Sequence, residues 1–286
     1  MFYTQLSGRG LLKISGSDAL SFLQGLVTQD VRLLEKGQPA YAALLTPQGK
    51  YLHDFFLYPH NGAILLDGEK NRFADLAARL KLYKLRSDVT MEELPESLGV
   101  VASWGEQSSE NLFKDPRMLE LGYRLAGDVQ KNLDWCKAQG YEQATYETYD
   151  AMRLELGVPD GSRDMIPEKS FMLECGMDKL HAISFDKGCY VGQEVTARSK
   201  FRGQVRKSLY VVRTDGALLP EPGTAITLDD REIGQMRSHN GRVGLAMLRM
   251  EIPETTHGPL MAGGILLHVS LPQWASQPED AENAGV

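Results

Sequence analysis

Residues 184–203 read SFDKGCYVGQEVTARSKFRG. Cys189 lies between Gly188 and Tyr190, with a second glycine at 192. Lys187, Arg198, Lys200, Arg202, Arg206 and Lys207 are basic, and Glu194 is the one acid between 187 and 207. Two glycines around a cysteine predict a tight turn or a close backbone approach. A helix beginning near Val191 would put Cys189 at its positive end, and the cations add field of the same sign. Both effects favour thiolate over thiol. Local sequence equally admits the alternative, a small buried hydrophobe.

The rest of the chain is acidic. Its 286 residues carry a formal net charge of −7, with pI about 5.5, 42% hydrophobic and 24% charged residues. These values suit a soluble globular protein of two or three compact units. They exclude a broadly basic nucleic-acid binder, so nucleic acid would have to meet a local patch. Cys136, Cys175 and Cys189 make an odd count, which predicts a reducing compartment rather than a disulfide framework. Their spacing does not resemble a CxxC metal site. The start, MFYTQLSGRG, lacks a signal pattern, and no apolar run approaches the roughly 20 residues of a membrane span. The expectation is a cytoplasmic protein, or a mature form in the mitochondrial matrix.

Outward from the cysteine turn, the pattern alternates strands and helices. A strand pair is predicted near 2–6 and 10–14, then a helix after Ser17-Asp18. Strands at 40–46 and 50–59 flank a turn at Pro47-Gln48-Gly49, and 63–67 follows a hairpin-like turn at His60-Asn61-Gly62. Phe73, Leu76, Leu80 and Tyr83 mark a helix near 71–85. Strands follow near 88–93 and 98–103, and 104–128 reads as polar loop. Helices are predicted near 128–139 and 146–156. From 204, short β-type runs and turns predict a small C-terminal barrel or sandwich, ending in an acidic tail.

Three further places could carry chemistry. Glu155 falls in the last turn of its helix, where the dipole disfavours an anion. It is either a solvated surface acid or an acceptor for a ligand edge with paired N–H donors. His53-Asp54 sits in an alternating strand. Alternation puts Asp54 on one face with Leu52 and His53 on the other with Tyr51 and Phe55, so one polar residue should point inward. Arg72, Arg79, Lys81, Lys84 and Arg86 read as a solvated helix face. There is no HExxH, GxGxxG or Walker A pattern.

Lys187, Gly188, Cys189, Tyr190, Gly192, Gln193, Glu194 and Arg198 together match the KGCYxGQE signature of YgfZ-type proteins, which the chain therefore resembles. These are folate-binding relatives of the glycine-cleavage T-protein, an aminomethyltransferase. FLQGLVTQDV (22–31), LLTPQGKYLHDFFLY (44–58) and RLELGVP (153–159) extend the resemblance along most of the chain. It implies an α+β, T-protein-like fold of three units around a central channel. Residues 1–203 would form the folate-binding region, with a ferredoxin-like unit roughly at 44–140. A C-terminal β-barrel would span 204–275 and an acidic tail 276–286.

The resemblance also implies a site. Cys189, Lys187 and Asp54 form its reactive set. Glu155 would hold the pterin edge, with Arg153, Tyr190, Gln193, Arg198 and Arg202 as further cofactor contacts. The implied cofactor is tetrahydrofolate or a derivative. A transient iron–sulfur cluster would need ligands from a partner, because four thiolates are typical. Implied partners are reduced folate and iron–sulfur client or carrier proteins. No membrane partner is expected, and the net charge argues against direct tRNA binding. T-proteins carry two adjacent acids where this chain has His53-Asp54, and they lack the cysteine. The implied function is a folate-binding helper for assembly or maintenance of iron–sulfur proteins, linked to tRNA modification and without classical turnover. The alternative is a folate-dependent one-carbon (aminomethyl) transferase.

Overall fold

The computed structural model describes residues 1–105, 112–203, 205–250 and 259–276. The chain divides into two compact units. The first joins Met1–Tyr146 to His181–Glu194, and the second joins Glu147–Leu180 to the chain from Val195 onward.

The first unit opens with β1 (Phe2–Gln5), β2 (Arg9–Ser15) and α1 (Ala19–Gln24). It continues through β3 (Ala40–Leu45), β4 (Tyr51–His60), β5 (Ala63–Glu69), α2 (Phe73–Lys84), β6 (Thr90–Glu93) and β7 (Leu98–Trp104). β8 (Phe113–Lys114), β9 (Tyr123–Asp128), α3 (Val129–Ala138) and β10 (Glu142–Gln143) complete it. One sheet has the order β3-β4-β5-β2-β6 and the other β10-β1-β7-β9-β8. The expected opening pair therefore does not form. β1 pairs with β7 and β10, while β2 pairs with β5 and β6. Leu11, Leu12 and Ile14 are all buried, which suits a strand covered on both faces.

β4 and β5 form the expected hairpin. Asn61 and Gly62 take φ of 46° and 76°, the two positive values that a tight hairpin turn requires. One face of this sheet packs Phe55, Leu57 and Leu66 against Phe22 and Leu23 of α1 and Phe73, Leu76 and Leu80 of α2. Full burial of each such side chain contributes about 1.5–3 kcal/mol.

The opposite face is ionic and aromatic. Arg124 lies 3.9 Å above the Phe56 ring, with Arg117 at 4.9 Å and Arg9 at 5.4 Å. Arg124 Nη2 donates to Asp67 Oδ2 at 2.6 Å, and its Nε to the Tyr58 hydroxyl at 3.1 Å. Burial alone would raise the Asp67 carboxyl, but Arg124 and Arg9 overcome it and hold it below its ordinary value. This network corrects the reading of 104–128 as loop. β9 runs through that stretch and carries the buried Arg124. An arginine reads as surface in a sequence, whereas here a carboxylate across the sheets makes its burial tolerable. Residues 106–111 of that stretch lie outside the described residues.

The second unit contains α5 (Gly161–Asp164) and most of α4 (Tyr146–Glu155) and α6 (Gln193–Phe201). Seven strands follow: β11 (Lys207–Arg213), β12 (Ala225–Leu228), β13 (Arg231–Asn240), β14 (Val243–Arg249), β15 (Leu260–Ala262), β16 (Ile265–Leu266) and β17 (His268–Ser270). They form one antiparallel sheet, β16-β15-β12-β13-β14-β11-β17, cored by Val212, Ile226, Met236, Ala246 and Leu248. After β17 the chain docks on two glycines. Trp274 Nε1 donates to Gly157 O at 3.1 Å, and the Trp274 ring fills the space where a Cβ on Gly176 would stand. Of the acidic tail expected at 276–286, residues 277–286 lie outside the described residues.

Candidate functional site around Cys189

The segment after α1 acts as a template for the cysteine turn. Thr28 is fully buried. Its Oγ1 donates to Ala182 O at 2.6 Å and accepts from Ala43 N at 2.8 Å, and its carbonyl accepts from Ser184 N at 3.0 Å. Gln29 Nε2 donates to His181 O at 2.7 Å. Residues 181–184 are thus laid along 28–29 by side-chain and backbone bonds outside any sheet. Lys187 makes the next attachment. Its Nζ donates to Val27 O at 2.6 Å and Gln29 O at 2.8 Å, while Gln24 Nε2 donates to Lys187 O at 3.3 Å.

The far side of the turn is held by packing. Tyr190 is buried, and Val191 packs on the helix-side core of the first sheet. Gly192 has φ of 85°, and a Cβ there would stand 2.6 Å from Thr46 O and 3.1 Å from Gly49 Cα. The β3–β4 turn and the cysteine turn therefore touch backbone to backbone, which only glycine permits. Between these two attachments Gly188 and Cys189 are exposed. Cys189 is the apex of a turn anchored on both sides.

The other thiols have a different setting. Cys136 and Cys175 are buried, and burial pushes Cys136 up to about 11 and Cys175 higher still. Among the described residues Cys189 is the only exposed cysteine.

The expected helix start needs correction. α6 begins at Gln193, four residues after Cys189, because Gly192 in a left-handed conformation cannot continue a helix. The expected crown of cations also differs. Lys187 is buried against carbonyls, 5.3 Å from the Tyr190 ring centre, and burial lowers it to about 8. Lys200 pairs with Asp178 at 3.0 Å. Arg198 and Arg202 are exposed, and Gln193 is half-buried.

His53 and Asp54 are both buried, which corrects the expectation of one inward residue. The sheet is covered on both faces, and an irregularity opposite Leu44/Leu45 breaks the alternation at Leu52. Asp54 accepts from the Tyr41 and Tyr51 hydroxyls at 2.7 Å each. His53 Nε2 lies 2.9 Å from Asp75 Oδ2, and burial, with Arg72 nearby, lowers the imidazole to about 4. It is neutral at neutral pH and donates from Nε2 to the carboxylate.

The second unit holds the remaining expected residues. Arg153, expected to meet a ligand, is buried, and its donors go to protein acceptors. These are Asp150 (2.7 Å), Val158 O (3.0 Å), Asp164 (2.8 Å) and Ser238 (2.8 Å). It ties α4 to α5 and β13. Glu155 is half-exposed, and its Oε2 accepts from Arg213 Nε at 3.0 Å and from Nη2. Sequence reasoning missed Gln24, Thr28 and Gln29 as parts of the site. The run LVTQD was visible, but nothing in it says that its side chains bond to a segment some 150 residues away.

Residues 206–277 match the family described as CAF17, C-terminal beta-barrel domain. The solved structure of glycine cleavage system aminomethyltransferase T from Bartonella henselae superposes with a TM-score of 0.76, covering 95% of this chain and 85% of that one. At 17% identity this establishes an aminomethyltransferase-like α+β fold. The mouse protein iron-sulfur cluster assembly factor IBA57, mitochondrial, is 34% identical, over 90% of this chain and 79% of the mouse protein. The human protein of the same name is 34% identical, over 94% of this chain and 84% of its own length. With matches of this extent, the chain belongs to the iron–sulfur cluster assembly factor IBA57 family, a family related to the YgfZ-type proteins.

Proposed function

We propose that the chain serves iron–sulfur protein assembly or maintenance by presenting Cys189 to a carrier or client protein, and that it binds a reduced folate. One observation carries the first part: the exposed cysteine is the apex of a turn anchored on both sides, while the other two are buried. A single thiolate supplies one of the four ligands typical of a cluster, so the cargo would be shared with thiolates of the partner. The mitochondrial names of the relatives favour the organellar form of the location expectation.

Glu155 suits the folate part. Arg213 holds Oε2, and Oε1 has no bond within the described protein, so it can accept an N–H from an aminopyrimidine-like edge. Exposed Arg198 and Arg202 suit the carboxylates of a folate tail. Arg153 is disfavoured, since it is buried and four of its five N–H donors already bond to the protein. Bound folate would supply a one-carbon or redox-active pterin. The transferase alternative is disfavoured. Asp54 is buried under two tyrosine hydroxyls, and the residue beside it is a neutral imidazole.

Rescue of a knockout strain tests the reading. Wild type should restore iron–sulfur enzyme activities and thiolated tRNA, and Cys189→Ala should not. Full rescue by Cys189→Ala would overturn it. Titration with tetrahydrofolate should show at least tenfold weaker binding to Glu155→Ala, and equal affinity would remove Glu155 from the site.

A further inference from the structure

We infer that Lys187 is a positioning residue for Cys189, fixing the place of the exposed thiol through the carbonyls of Val27 and Gln29. This deepens the function proposed above and rests on it for its biological meaning. The resemblance put Lys187 in the reactive set, but its ammonium is buried and turned toward backbone. Two of its three N–H donors go to carbonyls one residue apart on either side of Thr28. Thr28 itself holds Ala182 and Ser184. The template therefore grips the incoming segment at 181–184 and again at 187, and the next two residues are the exposed Gly188 and Cys189. Gln24 completes the grip by donating to the Lys187 carbonyl.

An exposed apex between glycines is mobile unless both ends are tied, because glycine leaves many backbone states open. Gly192 and Val191 fix one end by packing, and Lys187 fixes the other by hydrogen bonds. A cluster shared between two proteins needs its ligands held in place, since loose positioning weakens any multidentate site. Lys187 supplies that order without touching the cargo.

The test uses a methanethiosulfonate nitroxide on Cys189, with Cys136 and Cys175 protected by burial. Wild type should give a broad, motionally restricted spectrum. Lys187→Met should narrow it, with rotational correlation time falling several-fold, and Lys187→Arg, which keeps donors for both carbonyls, should restore much of the breadth. Gln24→Ala, which leaves the ammonium in place, should narrow it partly and carries the test if Lys187→Met does not fold. Identical line shapes in wild type and variants, or a narrow wild-type line, would overturn the inference. A uniform loss of stability without local narrowing would make Lys187 merely structural and would equally refute it. If Cys189→Ala rescues the knockout while Lys187→Met still narrows the line, the functional reading fails and the positioning role stands.

Discussion

Acid should weaken this protein through His53 in a narrow, calculable window. The imidazole titrates near 6.5 in an unfolded chain and is lowered to about 4 in the fold, first by burial and then by Arg72. A depressed folded pKa means that the unfolded state takes up the proton first. The contribution is complete above pH 6.5 and is lost as pH falls toward 4. At about 1.4 kcal/mol per pH unit the full loss is about 3 kcal/mol, and about 2 kcal/mol is gone by pH 5. Urea unfolding of wild type and His53→Gln at intervals from pH 7 to 4 isolates this term, because the remaining carboxylates titrate in both. Glutamine keeps a donor for Asp75 but cannot protonate. The stability difference between the two proteins should therefore shrink by about 3 kcal/mol across the window. Parallel curves would refute the claim that His53 is held neutral by its surroundings.

Other outcomes follow from the same contacts. Iodoacetamide should modify Cys189 in the folded protein and spare Cys136 and Cys175 until denaturant is added, read by peptide mass spectrometry. Protection of Cys189 would sink the apex description. Arg124→Met leaves the buried Asp67 with one cation fewer and should cost about 3–5 kcal/mol in urea unfolding; a cost under about 1 kcal/mol would show that Arg9 alone suffices. Gly192→Ala forces a left-handed alanine at about 1–2 kcal/mol and drives its Cβ into the Thr46 carbonyl. It should lower thermal stability and narrow the spectrum of a nitroxide on Cys189, whereas unchanged values in both would disprove the backbone contact with the β3–β4 turn.

Much of the fold was legible because its elements are locally consistent. The β4–β5 hairpin announced itself through Asn61-Gly62, and α2 through Phe73, Leu76 and Leu80. β9 was hidden because it carries Arg124, whose burial depends on an aspartate 57 positions away. Whether β1 and β2 pair was undecidable for a similar reason, since neighbouring apolar strands in sequence carry no mark of which sheet each will join. At the site, the glycines around Cys189 correctly indicated a turn. The positions of Lys187 and Arg153 could not be read, because a basic residue looks the same in sequence whether it faces solvent or a buried acceptor. Thr28 and Gln29 gain their meaning only once 181–184 is laid beside them.

The docking of Trp274 on Gly157 and Gly176 sets an order of events during synthesis. The first unit has all its residues once the ribosome has passed Glu194. The second cannot close until Pro272 and Trp274 emerge about 80 residues later, a delay of several seconds to more than ten at about 5–20 residues per second. Throughout that interval the stretch around Met165, Met172, Cys175 and Met177 has been made but lacks the ring that covers Gly176. The sulfur-bearing stretch of a nascent chain would then stand without that cover, although each of these side chains is buried in the finished protein. A chain cut short before residue 272 would remain in that vulnerable condition while its cysteine turn, belonging to the earlier unit, could already be formed.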